Sequence, residues 1–528
     1  MASWLPIPSN SHFSLANIPF GIISTSNQST HRPAIAIGDH VLDLSAFAQH
    51  DGFSRLSDIP SDKLSVFSQT TLNDFASLGR PVHRATRAYL QDIFRQETPY
   101  PELLKDNESL RNKALIPLVD IQSHLPLSIG DYTDFFAGRN HAHTVGTLFR
   151  GAANALQPNY NHLPVAYHSR ASSVVVSGTS LRRPWGQVLP NPQAKEPVFQ
   201  PCGRLDMELE LGMFICKGNE LGSPVPVTSA EEHIFGYVLM NDWSARDIQQ
   251  WEYVPLGPFN AKNFGTTISP WVVLADALEG FRTRGLVNDV PPKAYLDEQR
   301  KDPILDINLE VSLTTAKGNT TIITKTSSEN LLWSWPQMIA HHSISGCNLR
   351  TGDLLGSGTI SGLEAGTQGS LLEQTLGGKQ FVQLEGGEER KFIQDGDTIT
   401  ITGWSGSADD GIVGFGECAG TILAAVSLTR VTLFKIPKEE DQQHLLDLYK
   451  QMPQKALKDG APYIASVQAG KAKPDQRAQG FTVVAISTFN SQEDFDFYDK
   501  ECKAHLELRT FAKSVNEGVA MIYFENEV

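Results

Sequence analysis

The chain has 528 residues, too many for one ordinary domain, so two to four are expected. Hydrophobic residues make up 40% and charged residues 20%, which describes a globular protein with a real core and excludes a disordered chain. A formal net charge of −15 repels phosphate backbones and speaks against a nucleic-acid partner, so any acidic substrate must be met by basic residues gathered locally.

The start, MASWLPIPSNSHFSLANIPF, has neither the basic segment nor the apolar core of a signal peptide. From Pro19 to about Phe47, runs such as IPFGIISTS and AIAIGDHVLDL predict short strands and turns. A helix follows, with Pro81 suited to its first turn and Val82, Ala85, Tyr89 and Ile93 at helical spacing. The charged stretch from Gln96 to Lys113 reads as a connection. These residues, 1–116, form a small domain of mixed secondary structure. Residues 117–426 change texture: ASSVVVSG, LDMELELGMFI, ILDINLEVSLTT and DGDTITITG alternate as half-buried antiparallel strands between Gly and Pro turns. The expectation is a large, mostly β domain. Residues 427–528 read strand, helix, two strands, helix, strand, the ferredoxin-like α+β order. No run in the chain is apolar enough to span a bilayer. Cys202, Cys216, Cys347, Cys418 and Cys502 are scattered, odd in number and without CxxC spacing, which predicts reduced thiols and a cytoplasmic location.

Four clusters carry chemistry. In LDMELELGMFI, period-two geometry sets Asp206, Glu208 and Glu210 on one strand face. Such a face is either solvated or holds a cation, and taken alone the solvated reading is favoured. In GDYTDFFAGRNHAH, Asp134 and His141 are seven apart and would share a face of a helix, with His141 a general base or an incidental surface histidine. In NDWSARDIQQWEYVPLGPFNAKNFGTTISPW, Asp242 ends an apolar run, and Arg246, Gln249, Tyr253 and Lys262 follow in a density unlike an idle loop. In RTGDLLGSGTISG and GSLLE, Thr359 lies in a Gly-rich turn that lets backbone approach a ligand, and Glu373 is a possible carboxylate partner for His141. The glycines of GFGECAG are not followed by a helix and a ribose-binding acid, so a dinucleotide site is rejected.

In this order, from near residue 13 to about residue 425, the clusters resemble the fumarylacetoacetase family, with HIFGYVLMNDWSARDIQQWEYVPLGPF and FGTTISPWVV as its signature strings. The resemblance implies an N-terminal SH3-like barrel and a central β-roll hydrolase domain. It implies a divalent cation, Ca²⁺ or Mg²⁺, on Asp134, Glu208, Glu210 and Asp242, with Lys262 and Thr266 joining Asp242 at a second cation position. It implies His141 as catalytic base with Glu373 as its partner, and Arg246, Gln249 and Lys262 as transition-state donors. Substrate contacts fall on Phe136, Arg150, Tyr167, Gln249, Tyr253 and Thr359. Phe136 is a departure: the family commonly has tyrosine there, so a hydroxyl contact is lost. The string FTVVAISTFNSQEDFDFYDKECKAHLEL resembles the stress-responsive dimeric α/β-barrel family, which implies a homodimer.

The implied reaction is hydrolysis of a carbon–carbon bond in fumarylacetoacetate, giving fumarate and acetoacetate, the last step of tyrosine and phenylalanine breakdown. Two alternatives stand beside it: a superfamily relative acting on another oxo acid, as an acylpyruvase or oxaloacetate decarboxylase, or a non-catalytic assembly scaffold.

Overall fold

The computed structural model describes residues 2–425, 428–458 and 460–525, which fall into two compact units, Met1–Ile422 and Leu423–Val528.

The first unit opens with strands β1 (Phe20–Thr25), β2 (Gln28–Ile37) and β3 (His40–Asp43). The helix α1 (Arg80–Phe94) carries Pro81 at its first turn and buries Tyr89, Leu90, Ile93 and Phe94. The stretch read as a connection contains a helix, α2 (Glu108–Ala114), because the Asn107 side chain accepts from the Leu110 N–H and caps it. Strands β4 (Leu115–Pro117) and β5 (Ile121–His124) complete an antiparallel five-stranded sheet in the order β4-β3-β2-β1-β5. The core of this sheet is continuous with that of the central sheet. Phe20 stacks on Phe75, whose ring meets Phe235 edge-on, and Phe214, Val238 and Met240 belong to the same cluster.

The central sheet comprises β6 (Tyr132–Phe135), β7 (Ala166–His168), β8 (Val174–Val176), β10 (Leu209–Ile215), β11 (Ile234–Asp242), β13 (Thr266–Ile268) and β16 (Leu354–Gly356), in the order β7-β6-β16-β10-β11-β13-β8. A short pair, β9 (Leu205–Asp206) with β12 (Ser244–Ala245), sits beside it. The run LDMELELGMFI is thus two strands rather than one. The Asp206 carboxylate accepts the Met207 N–H and the Asn241 side chain accepts the Glu208 N–H, so the ladder breaks between them. A third sheet contains β14 (Asn308–Thr314), β15 (Thr320–Ser327), β17 (Thr398–Ser405) and β18 (Val413–Leu423). Three helices flank the central sheet's functional end: α3 (Arg139–Arg150), α4 (Arg246–Glu252) and α5 (Leu371–Gln374).

The second unit has β19 (Leu428–Lys435), α6 (Glu439–Lys455), β20 (Ile464–Lys471), β21 (Val483–Phe489), α7 (Gln492–Lys500), α8 (Lys503–Val515) and β22 (Gly518–Glu525). The antiparallel order β20-β21-β19-β22 is ferredoxin-like, with the second helix divided at Cys502. Leu428, Phe434, Val483 and Phe489 pack against Leu445, Tyr449 and Leu508 on the helical side. Among the described residues, no helix is long and apolar enough to cross a membrane.

Candidate active site

Asp134 lies on β6 and His141 on α3, so they share no helix; Gly138 N-caps α3, and the chain turns between them. Tertiary packing brings them together instead. The acidic face of β9–β10 is not solvated: Asp206 and Glu210 are fully buried and Glu208 nearly so. Asp242 ends β11, and Arg246 begins α4. Close approach of β16 depends on glycine. A Cβ on Gly356 would lie 2.5 Å from Asp134 Oδ1 and 3.1 Å from Glu210 Oε2. Two residues on, Gly358 adopts φ +78° and donates its N–H to Glu210 Oε2 at 3.1 Å.

Carboxylate oxygens of Asp134, Glu210 and Asp242 lie within 4.8 Å of one another, all buried. At that separation each charged pair repels by about 3–4 kcal/mol at an effective dielectric near 20. Burial, then Asp242, raises the Asp134 carboxyl well above its ordinary range, and burial, then Asp134, does the same for Glu210. Glu208 stands apart from this triad. It is paired with Lys262, with Arg246 Nη1 at 2.8 Å and with His141 Nε2 at 3.4 Å. Burial alone would raise its carboxyl, but Lys262 and then Arg246 hold it well below the usual range. Lys262 also donates to Asp242 Oδ2 at 2.5 Å, Tyr167 to the same oxygen at 3.0 Å, and Thr266 to Asp242 Oδ1 at 3.1 Å.

The charge balance of this region is uneven. Asp206 and Glu208 face Arg246, Asp242 faces Lys262, and Glu373 faces His141. Among the described residues, no cation pairs with Asp134 or Glu210, and Asp134 Oδ1 and Glu210 Oε1 are buried without any hydrogen-bond partner. Two uncompensated carboxylates with free lone pairs in an all-oxygen setting are what a hard divalent cation requires.

His141 is buried, and its Nδ1 lies 2.6 Å from Glu373 Oε2. The same oxygen accepts from the Ser361 and Ser370 hydroxyls, each at 2.8 Å. Burial opposes charge on the imidazole, but Glu373 and Glu208 outweigh it and raise His141 to about 9. The edge of one ring meets the face of the other where Phe136 approaches His141, 5.6 Å between centroids. Asp134, Glu208, Glu210 and His141 line a cavity of about 290 Å³. All six expected substrate contacts line it too: Phe136, Arg150, Tyr167, Gln249, Tyr253 and Thr359. Arg246 and Lys262 complete its basic side. The Thr359 hydroxyl is buried and unpartnered. Arg150 bonds the carbonyls of Asn154 and Ala155 at 3.1 and 2.9 Å, which anchors its guanidinium at the rim. His143 is exposed on the other side of α3. Three expected site residues, Asp242, Thr266 and Glu373, stand behind the cavity wall. Asp242 is bonded to Lys262 and Tyr167, Thr266 to Asp242, and Glu373 to His141.

Further contributors escape the sequence reading. Asp206 looked equivalent to its acidic neighbours, although its carboxylate faces Arg246 and the start of α5. Ser361 and Ser370 support Glu373. A signal existed for Ser370, since Ser370-Leu371-Leu372-Glu373 has the Ser-x-x-Glu spacing of a capping box. Here Ser370 accepts the Glu373 N–H at 3.4 Å, while the Glu373 side chain turns to His141.

The arrangement defines a class: a buried carboxylate cluster fit for a divalent cation, facing a histidine–carboxylate pair across a small cavity. Comparison with known proteins agrees with that class. Residues 132–423 match the family model described as fumarylacetoacetate hydrolase C-terminal, and residues 16–126 match fumarylacetoacetase N-terminal. Residues 428–526 match the stress responsive A/B barrel domain. The chain belongs to the fumarylacetoacetate hydrolase family. Among similar relatives, the fumarylacetoacetase of Emericella nidulans is 62% identical over 432 residues, covering 81% of this chain and 100% of that protein. The fumarylacetoacetases of Arabidopsis thaliana and Homo sapiens are 47% and 46% identical, each over 80% of this chain and 98% and 99% of their own lengths.

Proposed function

We propose that the protein hydrolyses fumarylacetoacetate to fumarate and acetoacetate, as the last step of tyrosine and phenylalanine breakdown. The observation that carries this reading is one cavity lined by His141, which is bonded to Glu373, and by Asp134 and Glu210, which cluster with Asp242, in a chain 46–62% identical to fumarylacetoacetases.

Asp134, Glu210 and Asp242, joined by Glu208, hold a divalent cation, and their oxygen donors suit Ca²⁺ or Mg²⁺. Lys262 and Thr266 complete a second cation position around Asp242. The bound cation supplies Lewis-acid stabilisation of negative charge on the substrate's oxo oxygens. Glu373 orients His141, and His141 takes a proton from water as the water oxygen attacks the ketone carbon. A base must start neutral, and Glu208 is one of the two carboxylates that raise His141. Glu208 would lend an oxygen to the divalent cation if it turned from His141. Arg246, Gln249 and Lys262 stabilise the developing oxyanion. The carbon–carbon electron pair leaves with the acetoacetate fragment, which gains the proton that water gave up. Arg150, Tyr167, Tyr253 and Thr359 hold the substrate's polar ends, and Phe136 packs beside it without a hydroxyl.

Three sequence modules, 1–116, 117–426 and 427–528, carry this organisation, with the N-terminal sheet read as an SH3-like barrel and the central domain as a β-roll. The third module makes a homodimer. On the sheet face away from its helices, Val431, Leu433, Val484 and Ile486 are partly exposed, and Ile522, opposite Val431, is 64% exposed. A second copy covers that apolar face. The free thiols of all five cysteines fit a cytoplasmic location.

The test is cleavage of fumarylacetoacetate by purified protein with divalent cation supplied and then chelated, beside an acylpyruvate and oxaloacetate. Faster turnover of either comparison compound, or none of the three, overturns the reading.

A further inference from the structure

One buried carboxylate outside the proposed cation ligands reaches both arms of the site. Asp206 is fully buried at the end of β9, and its two oxygens take four donors. Oδ1 accepts the N–H groups of Met207 at 2.9 Å and Leu371 at 2.8 Å. Oδ2 accepts Arg246 Nε at 2.9 Å and the Leu372 N–H at 2.9 Å.

Two of these connections lead to different parts of the cavity. Held by Nε, the Arg246 fork turns Nη1 toward Glu208 at 2.8 Å and Gln249 Oε1 at 3.1 Å. Its Nη2 remains buried and unpartnered, a donor free for substrate. Leu371 and Leu372 are the first two residues of α5, and the third is Glu373, bonded to His141. A guanidinium with five donors in a rigid plane can be aimed by fixing one edge. A four-residue helix lacks the internal ladder to fix its own position, so an outside acceptor for its first N–H groups sets where Glu373 points.

We propose that Asp206 is a positioning residue that sets the oxyanion-donor arm (Arg246) and the base-orienting arm (Glu373) in register with each other. This rests on the functional reading above. Both arms must meet one substrate, and errors of an ångström in such a site are costly. Ligation through a shared carboxylate makes their spacing depend on one group, in the way outer-shell carboxylates orient the ligands of metal sites.

The test is Asp206→Asn in the full chain, which keeps the shape but presents an amide group to one set of donors. The expected result is a fall in kcat of about 100-fold, comparable to loss of an oxyanion donor, with KM changed by less than about threefold. Cation stoichiometry stays at the unmodified value, and amide hydrogen exchange at Leu371 and Leu372 accelerates. A filler of space costs the same in every background, whereas a residue acting through two arms does not. Asp206→Asn should therefore lose part of its effect in Arg246→Ala, part in Glu373→Ala, and nearly all of it when both are present. Full additivity in the triple variant overturns the proposal, as does unchanged kcat in Asp206→Asn. If Asp206→Asn does not fold, Arg246→Lys carries the test. An ammonium can reach Asp206 or the Glu208–Gln249 pair but not both, so it should show most of the Arg246→Ala loss, and near-normal kcat overturns the proposal. Absence of fumarylacetoacetate hydrolysis in the unmodified protein is a separate result that refutes the functional reading instead.

Discussion

Glu373→Gln isolates the charge of one side chain while leaving its shape. The buried Glu373 Oε2 receives His141 Nδ1 at 2.6 Å and two serine hydroxyls at 2.8 Å, and a glutamine oxygen can still accept the imidazole N–H. What disappears is charge assistance. A hydrogen bond to a charged group contributes about 1.5–3 kcal/mol and a neutral one about 1 kcal/mol, so the difference is roughly 0.5–2 kcal/mol. If all of it is felt when the imidazole becomes charged in the transition state, kcat falls about 2- to 30-fold. His141→Ala removes the base itself and should cost about 10²- to 10⁴-fold. The two act as one unit, so the double variant should be no slower than His141→Ala alone. A pH profile adds a signed check. Glu373 raises the His141 imidazole, so removing its charge lets the neutral base persist at lower pH, and the acidic limb of the kcat profile moves down. The assay is steady-state turnover of fumarylacetoacetate at matched cation loading. Glu373→Gln as slow as His141→Ala, or multiplicative losses in the double variant, would falsify the assignment of Glu373 as an orienting partner.

Chelation should abolish turnover and lower the thermal transition, because a cation at 100 times its Kd stabilises the fold by about 2.7 kcal/mol. Asp134→Asn should weaken both cation binding, read by calorimetry, and that thermal response; a transition indifferent to cation counts against the carboxylate cluster as its site. A chain ending at Thr429 should keep measurable hydrolysis, since every residue of the cavity lies earlier, and a folded but inactive product would show that the functional boundary is misplaced. His505 is buried, stacked on Tyr498, and bonded through Nδ1 to the Tyr498 carbonyl. Burial, then Arg430, depresses it to about 4, below its ordinary 6.5. The unfolded chain therefore takes up the proton first. The contribution is complete above pH 6.5 and is lost as pH falls toward 4, about 3 kcal/mol in all. Chemical denaturation of the full chain should show this slope in the second unit's transition, and His505→Gln should flatten it.

Sequence by itself determined the strand-rich first unit, the ferredoxin-like second unit and the residue types of the cavity. Those features depend on local rules: period-two alternation in ASSVVVSG and DGDTITITG, helical spacing after Pro81, and the strand and helix order after residue 427. Family resemblance, spread over long strings, added which acids, bases and donors belong together. Local rules failed where an interaction reaches across the chain. Asp134 and His141 looked like neighbours on a helix, yet a strand and a helix carry them, and they meet only as two walls of one cavity. The acidic face of LDMELELGMFI favoured water until packing buried it and gave each carboxylate a different partner. Asp206 went to Arg246 and α5, Glu208 to Lys262, and Glu210 to the triad. Side-chain period can place three acids on one face, but it cannot say which cation meets which acid. Arg246 reaches Asp206 from 40 positions along the chain, and Lys262 reaches Glu208 from 54. Only the closed tertiary structure sets those distances and removes the water that would otherwise make the three acids equivalent.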